Sequence, residues 1–205
     1  MKLLDLGVAD YLETHTLQSE LVEARTRGEI EDTLILVEHT PVFTRGRKCR
    51  DNANLLAPGD VPVVDVERGG DITFHGPGQL VAYPIVKLPE GRRDAPKFIR
   101  HLEGWIIAGM AALGVADGER RPPFSGVWCQ GQKVASVGIA VTAQWVSWHG
   151  IALNVCTDMH YFERINPCGL EAQIMTSLSQ LAGQPVAMND ARQVLGRLVP
   201  LTLPR

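Results

Sequence analysis

The chain has 205 residues, of which 45% are hydrophobic and 21% charged, with a formal net charge of -3. That length suits one compact domain spanning 1–205, with a core that needs neither disulfides nor metals. The slightly acidic balance and sparse aromatics exclude a general nucleic-acid surface and a base-stacking platform.

The first residues, Met1 to Glu13, carry Asp5 and Asp10 among apolar positions and lack a signal-peptide core. The longest apolar run, Ile106 to Ala116, is too short to span a bilayer. No membrane role is expected, and a cytoplasmic location is. Leu3 to Val8 reads as a first strand. Asp10 to Arg27 reads as an amphipathic helix that Gly28 ends. Thr33 to Glu38 has the continuous apolar pattern of a buried strand. Thr44 to Asn54 reads as a basic loop, and Val61 to Val66 as a short strand. Ile72 to Phe74 and Gln79 to Val86 read as strands around the turn His75-Gly76-Pro77-Gly78. Pro96 to Leu113 predicts a second helix with Gly114 at its end. Gly126 to Gln130, Lys133 to Thr142 and Trp145 to Val155 read as three strands, the last two joined as a hairpin through Ala143-Gln144. A weak helix, Thr176 to Leu181, precedes a last one from Asn189 to Leu198. Helices and strands in this non-alternating order predict an α+β fold with a mixed β-sheet and flanking helices.

Four segments carry candidate chemistry. Arg68 to Leu80 has four glycines in thirteen residues, which suits either two tight turns or a backbone that approaches a ligand closely. It contains neither a dinucleotide fingerprint nor a phosphate loop. Lys133 opens an otherwise apolar strand, either as an exposed edge residue or as a partly buried lysine able to act as a base. His149 is either a satisfied core histidine or a site residue. Gly150 beside it implies close approach of a ligand or of backbone. Asn166-Pro167-Cys168-Gly169 is a tight irregular turn. Of the four cysteines, Cys49 reads as a surface thiol, and Cys129 and Cys156 as small strand-associated fillers. Cys168 alone sits on a rigid turn beside a glycine, where a nucleophile needs to be, although reactivity also requires a lowered thiol pKa.

Taken together, RGGDITFHGPGQLVAYP (68–84), KVASVG (133–138), HGIALNV (149–155) and NPCGL (166–170), with HTPVFTRGR (39–47) upstream, closely resemble the lipoyl(octanoyl) transferase family of lipoate biosynthesis. The resemblance runs from about His39 to Leu178. It implies the fold of biotin and lipoate ligase catalytic domains. It also implies transfer of an octanoyl group from octanoyl-acyl carrier protein to a lysine of lipoyl domains of 2-oxoacid dehydrogenase E2 subunits or of the glycine cleavage H protein. The family's cysteine and lysine map onto Cys168, as the acyl-thioester nucleophile, and Lys133. Its substrate-contacting segments map onto Arg68, Gly69, Gly70, Asp71, Ile72, Thr73, Phe74 and His75, onto Ser136, Val137 and Gly138, and onto Gly150, Ile151 and Ala152. His75 and His149 are auxiliary candidates for orienting the thioester or relaying protons. No cofactor or metal is implied, because the thioester itself supplies the energy. Asp71, Phe74 and Ala82 depart from the family pattern, and Phe74 lacks the hydroxyl of the common tyrosine. Arg45, Arg47, Lys48 and Arg50 form a basic cluster, either steering acidic partner proteins or simply solvated.

Three other readings compete. An ATP-dependent ligase of the same fold has no use for a nucleophilic cysteine. A metal-dependent hydrolase built on His39, His75 and His149 lacks a metal-binding motif. A non-catalytic module that binds an acyl carrier would leave Cys168 and Lys133 without work.

Overall fold

The computed structural model describes residues 1–49, 51, 53–167 and 172–202. Cys168, Gly169, Leu170 and Arg50 therefore lie outside the described residues. The chain opens with β1 (Lys2–Ala9), the helix α1 (Tyr11–Arg27) and β2 (Thr33–His39). Asp10 caps α1 by accepting from the amides of Leu12 and Glu13, and Gly28 stops it in the left-handed region at φ 79°. These bounds match the sequence expectation, because capping chemistry is local.

Next come β3 (Val42–Arg45), β4 (Val63–Asp65), β5 (Ile72–His75) and β6 (Gln79–Ile85). The helix α2 (Ala95–Ala112), capped by Asp94, follows. Then β7 (Glu119–Arg121), β8 (Phe124–Cys129), β9 (Gln132–Val141) and β10 (Ser147–Asn154) lead to α3 (Leu178–Ala182) and α4 (Met188–Thr202). Two strands depart from expectation. Val42 to Arg45 runs as a strand into what reads as loop, pairing antiparallel with β5 and parallel with β4. Glu119 to Arg121 is a charged edge strand with no apolar pattern to announce it.

Seven strands form a mixed sheet in the order β1-β2-β6-β10-β9-β8-β7, and β4-β3-β5 form a smaller sheet. Only β1–β2 is parallel in the large sheet; its other pairs are antiparallel. Strand alternation sorts the side chains between two faces. Leu34, Leu36, Leu80, Ala82, Ile151 and Leu153 share a core with α2 and α4. Ile35, Val37, Val81, Tyr83 and Ala152 face the other way, against Leu17 and Leu21 of α1. The small sheet closes a separate core of Phe43, Ile72, Phe74 and Phe162. No helix among the described residues is long and apolar enough to cross a membrane.

Gly138 and Gly150 are direct partners across β9 and β10. A side chain at Gly150 would collide with the Ala82 carbonyl and stand 2.7 Å from Pro84 Cδ. The close approach expected at Gly150 is thus to the backbone of β6. Gly150→Ala is expected to lower stability by about 1–3 kcal/mol, the usual cost of forcing volume into a packed interior. A urea midpoint equal to that of the unaltered protein would refute this.

Candidate functional site

A cavity of about 490 Å³ opens where β5, β9 and β10 meet α1 and the 67–71 loop. Arg68, Gly69, Gly70, Asp71, Thr73, His75, Lys133, Ser136, Val137, Gly138, His149, Gly150, Ile151 and Ala152 all line it. The strands and the glycine turn thereby bring together segments far apart in sequence. Among the described residues, two of those expected are not on its wall. Ile72 and Phe74 alternate with Thr73 and His75 on β5 and point into the small sheet's core, where both are fully buried. Phe74 stacks on Tyr161 at 4.3 Å between ring centroids. Packing against Tyr161 and Phe162 accounts for an aromatic ring at that position.

Glycines make the loop fit. A side chain on Gly46 would stand 2.6 Å from the Gly70 carbonyl, and one on Gly138 3.0 Å from the Gly69 carbonyl. The Gly69 amide also donates to the Ile139 carbonyl at 2.9 Å, which ties the loop to β9. Beneath it runs a buried chain of hydrogen bonds. Arg68 Nη2 donates to Thr44 Oγ1 at 2.9 Å and to the Thr44 carbonyl at 2.8 Å. A guanidinium only donates, so the Thr44 hydroxyl hydrogen is left for His75 Nε2, 3.3 Å away. His75 Nδ1 then carries the proton and donates to Gln79 Oε1 at 2.8 Å. Gln79 Nε2 passes the direction on to the Phe74 carbonyl and to Asn154 Oδ1, each at 3.0 Å. Asn154 Nδ2 donates to the Thr176 carbonyl at 3.0 Å. Every link has one consistent direction only if His75 is neutral. Burial, with the His39 and Arg68 charges adding to it, indeed holds its pKa well below the ordinary value. Both ring nitrogens of His75 are therefore engaged, which fixes the orientation of the ring.

Lys133, the second residue of β9, is 3% exposed, not the solvated edge residue that its place in the sequence allowed. Gly126, at φ 136°, makes the room: a side chain there would stand 2.7 Å from Lys133 Cε. The Gly126 amide in turn donates to buried Glu103 of α2 at 2.9 Å. The Thr176 amide donates to the Lys133 carbonyl at 3.0 Å, and Met175 bridges to Lys133. The segment just after residues 168–171 is thus fastened to the lysine's own backbone. On the other side of Cys168 in sequence, the Asn166 amide donates to the Asn54 carbonyl at 2.8 Å. The three described thiols all have raised pKa values. Burial pushes Cys49 up to about 11, and it raises Cys129 and Cys156 as well. Cys129 is buried, as a filler should be, but Cys156 is exposed at the end of β10.

His149 is also neutral: burial and the Arg68 and His15 charges push its pKa down to about 3 against the pull of Glu67. Its φ of 54° is rare for a side-chain-bearing residue and breaks the strand's alternation. Trp148 and His149 therefore stack on one another, with centroids 4.4 Å apart. Sequence patterning missed Tyr11, Tyr83 and Phe124 on the cavity wall. Tyr11 reads there only as an apolar position of the first helix, and Tyr83 only as a strand residue within the 68–84 motif. The basic cluster is dispersed: Arg45 forms a two-pronged pair with Asp65 at 2.7 and 2.8 Å, Arg47 is exposed, and Lys48 reaches the cavity.

The model of the lipoyl protein ligase A/B catalytic domain matches residues 10–198. An octanoyltransferase of Syntrophotalea carbinolica is 46% identical over 199 residues, covering 97% of this chain and 91% of that protein. An octanoyltransferase of Rubrobacter xylanophilus is 44% identical, over 93% of this chain and 91% of the relative. Among solved structures, lipoate-protein ligase A bound with ATP superposes with a TM-score of 0.76 at 16% identity, over 98% of this chain and 84% of that one. The biotin protein ligase of Aquifex aeolicus bound with biotin and ATP gives 0.59 at 16% identity, over 97% and 69%. At such identities the likeness establishes the fold, a mixed sheet with flanking helices.

His39 tests the electrostatics of this interior. Its Nδ1 donates to the Ala9 carbonyl at 3.2 Å, its Nε2 accepts from the Tyr83 hydroxyl at 2.9 Å, and burial lowers its pKa to about 4. The unfolded chain takes up this proton near pH 6.5, while the folded one resists until about pH 4. Stability from this group is complete above pH 6.5 and is lost as the pH falls through 4. Urea midpoints measured from pH 7 to 4 are expected to decline, less steeply in His39→Asn. Equal slopes in the two proteins would contradict the assignment.

Proposed function

This chain belongs to the lipoyl protein ligase A/B catalytic-domain family, among its octanoyltransferases, and from that premise we propose a double-displacement transfer through Cys168 with Lys133 as its partner. The enzyme is an acyltransferase that moves an octanoyl group in protein lipoylation. In the proposed reaction the Cys168 thiolate attacks the thioester carbonyl of octanoyl-acyl carrier protein. The carrier's thiol leaves with a proton, and the acyl group stays on sulfur. The neutral amine of an acceptor lysine, on a lipoyl domain of a 2-oxoacid dehydrogenase or on the glycine cleavage H protein, then attacks this second thioester. An amide forms, the C–S bond breaks, and Cys168 is released.

The observation that carries this reading is Lys133, buried on the cavity wall with its backbone bound to Thr176, a few residues beyond Cys168. An ammonium close to the sulfur favours thiolate over thiol. Once it has given up its proton, the same nitrogen can accept one from the incoming amine. The other described thiols, all raised, offer no rival nucleophile. Val81, Val137, Ile139 and Ile151 give the cavity an apolar lining for the acyl chain. Full burial of that chain would contribute roughly 5 kcal/mol at about 0.8 kcal/mol per methylene, enough to select length. We place all of this chemistry in one domain spanning the chain.

Incubation with octanoyl-acyl carrier protein without ATP is expected to add one octanoyl mass to the intact protein, and Cys168→Ser to remove it. Strict dependence on ATP would overturn the transfer mechanism. Lys133→Ala is expected to slow alkylation of Cys168 by iodoacetamide at pH 7 by at least tenfold, as read by peptide mass. An unchanged rate would remove Lys133 from thiol activation.

A further inference from the structure

Beside the cavity, where no step of the proposed transfer is placed, three side chains converge. His15 comes from α1, Glu67 from the loop before Arg68, and His149 from β10. His15 Nε2 lies 3.0 Å from Glu67 Oε2, and His149 Nε2 lies 3.4 Å from the same oxygen. The donor atoms of all three fall within 4.8 Å of one another. With metal–ligand bonds of about 2.0–2.1 Å and tetrahedral angles, ligand atoms around zinc sit about 3.3 Å apart. The two measured separations bracket that edge. Two imidazoles and one carboxylate are also a donor set that zinc-class ions take in sites with an open position.

A second observation is independent of these spacings. The His149 side chain is 2% exposed, yet neither of its ring nitrogens has a hydrogen-bond partner among the described residues. Glu67 stands near Nε2 without the alignment of a hydrogen bond. Leaving a buried polar atom unmade costs about 1–3 kcal/mol, so such groups call for a partner. Nor does the imidazole escape by taking up a proton, because burial keeps it neutral and its lone pair available. The fold holds it in place at further cost: the Gln18 side-chain oxygen accepts from the His149 amide at 2.9 Å and secures the residue's positive φ. The amide nitrogen of Gln18 is also buried without a partner. The Arg68 charge opposes a cation here, and Glu67 supplies a compensating carboxylate.

We propose that His15, Glu67 and His149 form a binding site for one divalent ion of the zinc class, with its open position toward the cavity that His149 lines. The ion displaces the weak Glu67–His149 contact, gives His149 Nε2 a bond, and converts the His15–Glu67 pair into ligands. Under the transferase reading, an ion at this wall would be placed to polarise an acyl carbonyl entering the cavity. Binding itself does not depend on that reading.

The test uses the full chain, treated with iodoacetamide so that accessible thiols cannot bind metal, and stripped with chelator. Zn2+ is titrated in by calorimetry, without acyl donor, so the result is independent of whether octanoyl transfer occurs. One ion per chain is expected, with affinity at least tenfold weaker in His15→Ala and in Glu67→Gln. His15 and Glu67 are partly exposed, so both variants should keep the fold, checked by circular dichroism. Co2+ should give a visible d–d band that the same substitutions abolish. No saturable uptake by the unaltered protein, or equal uptake in His15→Ala, overturns the proposal.

Discussion

A directed chain of buried hydrogen bonds, from the Arg68 guanidinium through Thr44, His75, Gln79 and Asn154 to the Thr176 carbonyl, holds the site's parts in register. Its direction begins with a group that can only donate and ends on a carbonyl that can only accept. In a low-dielectric interior each broken link would strand a donor or acceptor, so the whole chain is kept or lost together. It joins β3, β5, β6 and β10 to the segment that follows Cys168. The Thr176 amide then closes onto the Lys133 carbonyl, and this extends the same connection to β9. Acyl-transfer geometry of the kind proposed needs tolerances that loops alone do not supply. Here an irregular loop is braced on strands by buried polar links.

Glycine does complementary work at the places where backbone meets backbone. Gly138 admits the Gly69 carbonyl, and Gly150 admits that of Ala82. Gly126 instead leaves room for the stem of Lys133, which lets a lysine be buried on an apolar strand. A conformationally permissive residue is tolerated in these strands because the close contacts it permits outweigh its weaker strand preference.

The two cavity histidines divide the available chemistry. Both are neutral because both are buried, but only His75 is satisfied. Saturation of its two nitrogens makes it a brace. The empty nitrogens of His149, with His15 and Glu67 alongside, make it the residue with bonding capacity to spare.

Much of this was legible in the sequence, for physical reasons. Capping residues set helix ends within a turn, so Asp10 and Gly28 marked α1 and Gly114 marked the end of α2. Alternation and apolar runs marked the central strands. The ordered motifs brought Arg68, Lys133, Ser136 and His149 together before any contact was known, because such motifs record a site and not an element. The sequence could not separate Thr73 and His75 from Ile72 and Phe74, since side-chain direction on a short strand depends on which sheet claims each face. Nor did it reveal β3 or β7, whose residues pair for reasons external to their own patterning. The burial of Lys133, the saturation of His75 and the meeting of His15 with Glu67 and His149 were decided by tertiary structure alone. Each depends on how close distant backbones come, and no local propensity encodes that distance.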